Sequence, residues 1–137
     1  MTKRKTFLLA ALLMTAGIAS AQVTIKGDVH GGGYKGKVKN PSATVYGNAA
    51  VDLNEGTVEG NVYGGGRGFT TDRETGLVEG NTTVTMVGGK VLGSLYGGGE
   101  LGSVGTGILD DKNSGVSRVI ISGGEVGVNN PSTTEAK

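Results

Sequence analysis

The sequence predicts an all-β chain that folds as a parallel β-solenoid, a β-helix-like stack of repeats with a period of about 33 residues. A valine, a histidine and three glycines at residues 29–33 recur, with tyrosine for histidine, at 62–66 and again, led by leucine, at 95–99. Glycine supplies 28 of the 137 residues, far above the usual share of about 7%. Because each glycine costs about 1 kcal/mol inside a helix, helix is disfavoured, and repetition at this period is typical of stacked supersecondary units.

The first strand of each copy shows a period of two. Residues 25–30, 58–63 and 91–96 place an aliphatic side chain, a glycine and a second aliphatic side chain at alternate positions. The intervening positions are mostly polar or aromatic, so the pattern predicts a half-buried strand. The glycine within each strand indicates a narrow interior or a bend.

A second strand precedes the first in each copy. It is predicted at residues 50–53, 83–86 and 118–121. The side chains expected to face inward are Val51 and Leu53, Val84 and Met86, and Val119 and Ile121. A tight turn ending in Gly56, Gly89 or Gly124 joins the two strands, because glycine adopts a positive φ at little steric cost. A shorter third element is predicted at residues 44–48 and 77–81.

Polar segments of variable length follow the glycine runs, at residues 34–42, 67–76 and 100–115. The third segment is the longest and makes the spacing of the last copy longer by two positions, as Val91 and Val126 show. Insertions confined to one place in a repeat correspond to loops on one face of the stack, and loops usually carry function.

The N-terminus has the features of a secretory signal peptide, predicted at residues 1–21. Basic residues 3–5 precede an apolar stretch at 7–18, and the small residues 19–21 form a cleavage site that leaves Gln22 as the first residue. The stretch is shorter than the ~20 residues that span a bilayer. The chain is therefore expected to be exported to the medium or the outer-membrane surface, with no transmembrane segment in the mature chain.

Residues 22–128 are expected to form about three repeats, the last copy being incomplete, and residues 129–137 a polar tail. No capping segment is recognisable after the last copy, so self-association through the solenoid ends is expected. A fragment of a longer protein is the alternative. With no cysteine in the chain, disulfides cannot compensate for the small core.

The charge of the mature chain argues against two classes of partner. Removing residues 1–21 leaves ten basic side chains against 12 acidic ones, although the full chain carries a net charge of +1. Neither nucleic acid nor an anionic membrane is therefore an expected partner.

No catalytic, cofactor or metal site is predicted. Glycines spaced G-x-G-x-x-G at 31–36 and 97–102 lack the strand–helix context of a nucleotide site. Residues 110–113 lack the glutamate of an EF-hand calcium loop. Asp28 and Glu59 are the nearest candidates for the paired acids of a polysaccharide-cleaving enzyme, but Asn61 takes the place of Asp28 in the next copy. The chain is therefore expected not to be an enzyme.

One row of side chains forms a candidate ligand-contact ladder: His30, Tyr63 and Tyr96 hold the same position in successive copies. In register their rings stack, and exposed aromatic surfaces bind the apolar faces of sugar rings. The alternative is that stacking between copies only sets their register. A general base needs a positioned partner, and none is suggested for His30.

The run Gly-x-Val-x-Gly-x-Val-Tyr-Gly-Gly-Gly at residues 56–66, with a close match at 89–99, resembles the glycine-rich repeats of large adhesin-like surface proteins of Gram-negative gut and oral anaerobes. The resemblance implies a non-enzymatic secreted or cell-surface protein with a structural or adhesive role, whose partners are host or cell-surface glycans or proteins. A carbohydrate-binding module that uses the aromatic ladder, and a truncated adhesin fragment without independent function, are the alternatives.

Overall fold

The computed structural model describes residues 22–40, 46–72, 74–106 and 112–127. In these ranges the chain forms ten strands in three parallel sheets and contains no helix. The predicted all-β class with parallel strands is therefore confirmed. The predicted signal peptide at 1–21, residue 128 and the predicted tail at 129–137 lie outside the described residues.

The strands are short and recur in the same order along the chain. They are β1 (Thr24–Ile25), β2 (Val29–His30), β3 (Ala49–Leu53), β4 (Thr57–Val58), β5 (Val62–Tyr63), β6 (Thr82–Met86), β7 (Lys90–Val91), β8 (Leu95–Tyr96), β9 (Ser117–Ile121) and β10 (Glu125–Val126). The sheets have the orders β1-β4-β7-β10, β2-β5-β8 and β3-β6-β9, so each strand pairs with strands three places away in the chain.

The register of these sheets follows the sequence period. Thr24 pairs with Thr57, and Thr57 with Lys90, each pair being separated by one repeat period. Thr82 pairs with Ser117, which matches the longer spacing of the last copy. A shift of one residue would turn apolar side chains outward, so the shared alternation of the copies selects this register.

Aliphatic rows between the sheets form the core. The cluster contains Val51, Val58, Val62, Val84, Met86 and Val91. Val84, Met86 and Val91 are fully buried, in agreement with the inward positions predicted for β6 and β7. Equivalent residues of neighbouring copies stack about 4.8 Å apart, so each row is a continuous column of side chains.

Strand β9 continues the aliphatic rows of the core, but its side chains are exposed. Val119 and Ile121 of β9, which are predicted to face inward, are 39% and 54% exposed. Both follow the buried Val84 and Met86 in register. They are exposed because no further strand covers them within the part of the chain that the structure describes.

The predicted turns are present, with glycine where the backbone is left-handed. Gly56, Gly89 and Gly124 have φ values of +91°, +81° and +90°. A side chain is disfavoured in this region because its Cβ crowds the neighbouring carbonyl oxygen. The three turns lie directly between β3 and β4, β6 and β7, and β9 and β10.

The glycine triplets bring neighbouring copies into close backbone contact. The Gly32 N–H donates to the carbonyl oxygen of Gly65 at 3.1 Å, and the Gly65 N–H donates to that of Gly98 at 2.9 Å. A Cβ built on Gly65 would lie 2.8 Å from the backbone nitrogen of Gly99. In the first two triplets the middle glycine, Gly32 or Gly65, is therefore required by the close packing of successive copies.

The third element is reduced to isolated bridges. Val78, fully buried, bridges Val38 on one side and Val104 on the other. The predicted partner segment at 44–48 is described only from residue 46, where the carbonyl oxygen of Gly47 accepts a 2.9 Å hydrogen bond from the Gly80 N–H. Gly47 and Gly80 hold equivalent places in these two segments, so this contact follows the regular repeat period.

Candidate functional site

The residues of the predicted ladder lie in register on β2, β5 and β8. The His30 and Tyr63 ring centroids are 4.9 Å apart with planes 7° from parallel. Tyr63 and Tyr96 follow at 4.8 Å and 10°. Both separations match the distance between strands in a sheet, so the strand pairing itself sets the stacking.

Stacking of this kind limits what the ladder can bind. Each face of Tyr63 is covered by a neighbouring ring. Tyr96, at the last position, is 46% exposed. A sugar ring needs an open aromatic face, and within the described ladder Tyr96 is the residue best placed to offer one.

The carboxylate of Glu100, on a neighbouring loop, contacts the first ring of the ladder, that of His30. Glu100 Oε2 lies 2.8 Å from His30 Nε2 and 3.3 Å from Arg67 Nε. The side chains of His30 and Glu100 are 15% and 25% exposed. Sequence reasoning suggested no partner for His30, because Glu100 lies two copies further along the chain. Glu100 follows the third glycine triplet and Arg67 the second, so these loop residues gather on one surface beside the rings.

The same surface changes the acidity of the central ring. Partial burial, together with the negative charges of Glu100 and Asp28, raises the pKa of Tyr63 above its usual 10.0. Tyr63 therefore holds its phenolic proton more tightly in the fold than in the unfolded chain.

The two acids considered as a catalytic pair have other partners. Asp28 Oδ1 accepts a 2.6 Å hydrogen bond from the backbone N–H of Asn61. Glu59 forms an ion pair with Lys26. The carboxylate of Asp28 therefore links one copy to the next, and that of Glu59 neutralises a surface lysine.

Asp28 belongs to a set of side-chain-to-backbone links that sequence reasoning missed. Asn61 Oδ1 accepts from the Ser94 N–H at 2.9 Å, one copy further on. The same kind of hydrogen bond occurs at a second position of the repeat, where Asn48 Oδ1 accepts from the Asn81 N–H at 2.7 Å. The signal in the sequence was the recurrence of Asp or Asn at a fixed place in the repeat.

A second group of rings was also missed by sequence reasoning. Tyr34 and Phe69 lie edge to face, with centroids 5.9 Å apart and planes at 63°. The Lys35 ammonium lies 4.5 Å from the Phe69 centroid, and the Arg67 guanidinium 5.7 Å from that of Tyr34. The clue was that Tyr34 and Arg67 hold the same position directly after their glycine triplets.

An open groove of about 430 Å³ lies along the starts of β3, β6 and β9. Its lining includes Asn48, Asn81, Lys112 and Arg118. The amide oxygens of Asn48 and Asn81 each accept a backbone N–H group, so both side chains already link neighbouring copies. Among the described residues, no three His, Asp or Glu side chains gather as a metal site would require.

Within those same ranges there is no helix of the length and apolarity that a membrane span would need.

The fold and surface define a class: an all-β chain of parallel strands, with stacked rings along one sheet and loop residues gathered beside them. No family model, no curated protein and no solved structure matches the chain.

Proposed function

We propose that the chain is a parallel β-solenoid that serves as a non-enzymatic structural or adhesive protein, secreted or displayed at the cell surface. The observation that carries the proposal is the register of the three sheets. Paired residues are separated by one repeat period between the earlier copies and by the longer spacing at the last β9 pairing. Each repeat then forms one coil, and its strands contribute one rung to each sheet.

Engagement of the polar side chains supports a structural role. Asp28 and Asn61 form links between copies. Lys90 and Glu125 form an ion pair at 2.9 Å across adjacent strands. A catalytic carboxylate requires access to substrate, whereas Asp28 already accepts a backbone hydrogen bond.

The adhesive part of the role is proposed for the loops after the glycine triplets. They differ in length and sequence while the strands between them keep their pattern. The resemblance to glycine-rich repeats of adhesin-like surface proteins and the secretory signal predicted from the sequence support display outside the cell. Glycans or proteins of a host or a cell surface are the proposed partners.

Location and size can be tested together in native cells. An antibody against residues 56–99 would be used to probe immunoblots of cytoplasmic, outer-membrane and medium fractions. We expect the band in the outer membrane or the medium. A mass well above 13.7 kDa would identify the chain as part of a longer adhesin, and a cytoplasmic band would contradict export.

The particle shape and the secondary structure of the purified chain test the solenoid. Small-angle X-ray scattering and far-UV circular dichroism of the purified chain should give a compact β-rich particle. A random-coil spectrum would contradict a solenoid that folds on its own and would support the alternative of a fragment without independent function.

A carbohydrate-binding module is the second candidate, favoured by the 46% exposure of Tyr96 at the open position of the ladder. Under this proposal His30 and Tyr63 support the ring that contacts sugar. Replacing Tyr96 by alanine should abolish retention on a glycan column, and a Tyr63→Ala variant should weaken it. Retention that is unchanged in both variants would rule out the ladder as a sugar site.

A further inference from the structure

Tyr34 and Phe69 differ from the stacked ladder in how they expose their rings. They pack edge to face, so their ring faces do not cover each other as those of Tyr63 and Tyr96 do. Tyr34 is 63% exposed and Phe69 is 36% exposed. Lys35 lies over the Phe69 ring and Arg67 over the Tyr34 ring, so a sugar ring would pack its apolar side on the aromatic surface that these cations leave exposed.

A lysine with no carboxylate partner among the described residues lies over these rings. Lys35 Nζ is 4.5 Å from the Phe69 centroid and 5.6 Å from that of Tyr34. Three other lysines of the first copy form ion pairs with glutamates, namely Lys26, Lys37 and Lys39. In the part of the chain that the structure describes, Lys35 forms no such pair, so its charge is not neutralised by a neighbouring acid there.

The backbone holds Lys35 in an uncommon conformation. Its φ of +58° lies in the left-handed region, which is unfavourable for a residue with a side chain. Its N–H donates a 3.0 Å hydrogen bond to the carbonyl oxygen of Arg67. This link to the next copy keeps the lysine beside the rings.

Arg67 supplies a second cation on the same surface. Its guanidinium lies 5.7 Å from the Tyr34 ring and contacts Glu100 through Nε at 3.3 Å. A guanidinium has five N–H donors in a planar fork suited to a carboxylate, and this contact engages one of them. Lys35 and Arg67 therefore flank Tyr34 with two cations against the single charge of Glu100.

We propose that Tyr34, Lys35, Phe69 and Arg67 form a binding site for an acidic saccharide, that is, a sugar bearing a carboxylate. The sugar ring packs on the exposed aromatic surface, and its carboxylate is bound by Lys35 and Arg67. The site deepens the adhesive role proposed above and rests on it. A neutral sugar would use the rings and leave Lys35 without an anionic partner among the described residues.

Affinity electrophoresis of the purified chain tests the site. Native gels would contain polygalacturonate, alginate, or fully methyl-esterified polygalacturonate, which keeps the sugar rings but removes the charges. We expect retardation by at least one of the two acidic polymers and little by the ester. Absence of retardation by both acidic polymers, or equal retardation by the ester, would overturn the proposal.

Matched variants separate the site from general charge attraction. Lys35→Gln should weaken binding about tenfold, as expected for loss of a charge-assisted contact, and Tyr34→Ala about fivefold. Lys37→Gln removes the same charge two residues away, where Lys37 is paired with Glu74, and should change binding little. Equal losses in Lys35→Gln and Lys37→Gln would overturn the proposal.

Two further measurements distinguish this proposal from the broader one. Circular dichroism of each variant shows whether a loss of binding reflects unfolding, and only variants with the parent spectrum are compared. Tyr96→Ala serves as the control for the ladder and should bind the acidic polymer normally. A correctly folded chain that is found at the cell surface but fails to bind would refute the acidic-saccharide site and leave the structural role intact.

Discussion

The backbone N–H of Asn61 donates a 2.6 Å hydrogen bond to Oδ1 of Asp28, the residue at the same position one copy earlier. Asn61 then repeats the arrangement, because its own Oδ1 accepts the Ser94 N–H at 2.9 Å. Between the two short strands of a copy, these side chains satisfy amides that lie outside the regular ladders. The links therefore continue the connection between copies where the sheets are interrupted.

Replacing Asn61 by alanine removes the acceptor for the Ser94 N–H. We expect the free energy of unfolding to fall by about 1 kcal/mol, the net value of one such hydrogen bond. Urea unfolding followed by circular dichroism measures the change. Asp28→Asn keeps the acceptor and should leave stability nearly unchanged, whereas a loss in Asp28→Asn equal to that in Asn61→Ala would contradict this role.

The middle glycines of the triplets provide a matched comparison. A Cβ on Gly65 would lie 2.8 Å from the backbone nitrogen of Gly99, whereas a Cβ on Gly98 would meet nothing within 4 Å. Gly65→Ala should destabilise the fold by about 1–3 kcal/mol through overpacking. Gly98→Ala should be neutral or stabilise it by less than about 1 kcal/mol. Equal effects in thermal unfolding would refute the close approach of the copies.

Alkaline pH should destabilise the fold through Tyr63. Because the folded pKa of Tyr63 is raised above 10.0, its contribution is complete below that pH and is lost as pH rises through the raised value. Ultraviolet titration of tyrosinate should show a late phase that belongs to Tyr63. Tyr63→Phe should remove that late phase, and Glu100→Gln should move it to lower pH. A late phase that persists in Tyr63→Phe would assign it to another tyrosine.

The exposed rows of β9 should promote association between chains. Ile121 is 54% exposed and Val119 39%, although both continue core rows. We expect sedimentation velocity to show concentration-dependent oligomers, and Ile121→Lys to shift the distribution toward monomer. Thr85→Lys, a change on a half-buried polar position of the central strand β6, serves as the control for added charge. A chain that remains monomeric at high concentration would contradict this prediction.

Much of the fold was predictable because the spacing of the repeat determines which residues pair between strands. The alternation around Val58 and Val62 identified the buried face, and the recurrence of Gly56 as Gly89 identified the turn. In a parallel sheet built from copies, equivalent residues pair, so the period gave the strand partners up to β8, and the longer spacing of the last copy gave those of β9 and β10. The stacking of Tyr63 on Tyr96 followed from the same register.

The loop surface was not predictable in the same way. Tyr34 and Phe69 are not at equivalent positions in their copies, so no periodicity relates them, and their contact depends on the conformations of two different loops. The left-handed backbone of Lys35 gives no sequence signal, because lysine is not a residue that favours it. The role of Asp28 was also not predictable, because the sequence does not distinguish an aspartate that links copies from a catalytic aspartate.

The extra length of the last copy enters between Tyr96 and Ser117. Strand β8 pairs with β5 at the regular repeat period, and β9 pairs with β6 at the longer spacing, yet both sheets keep their order. The strands therefore tolerate a change of length in the segment that connects them. Foreign peptides could be grafted into this segment and displayed on a rigid support, with the neighbouring rungs serving as an internal check that the host fold is retained.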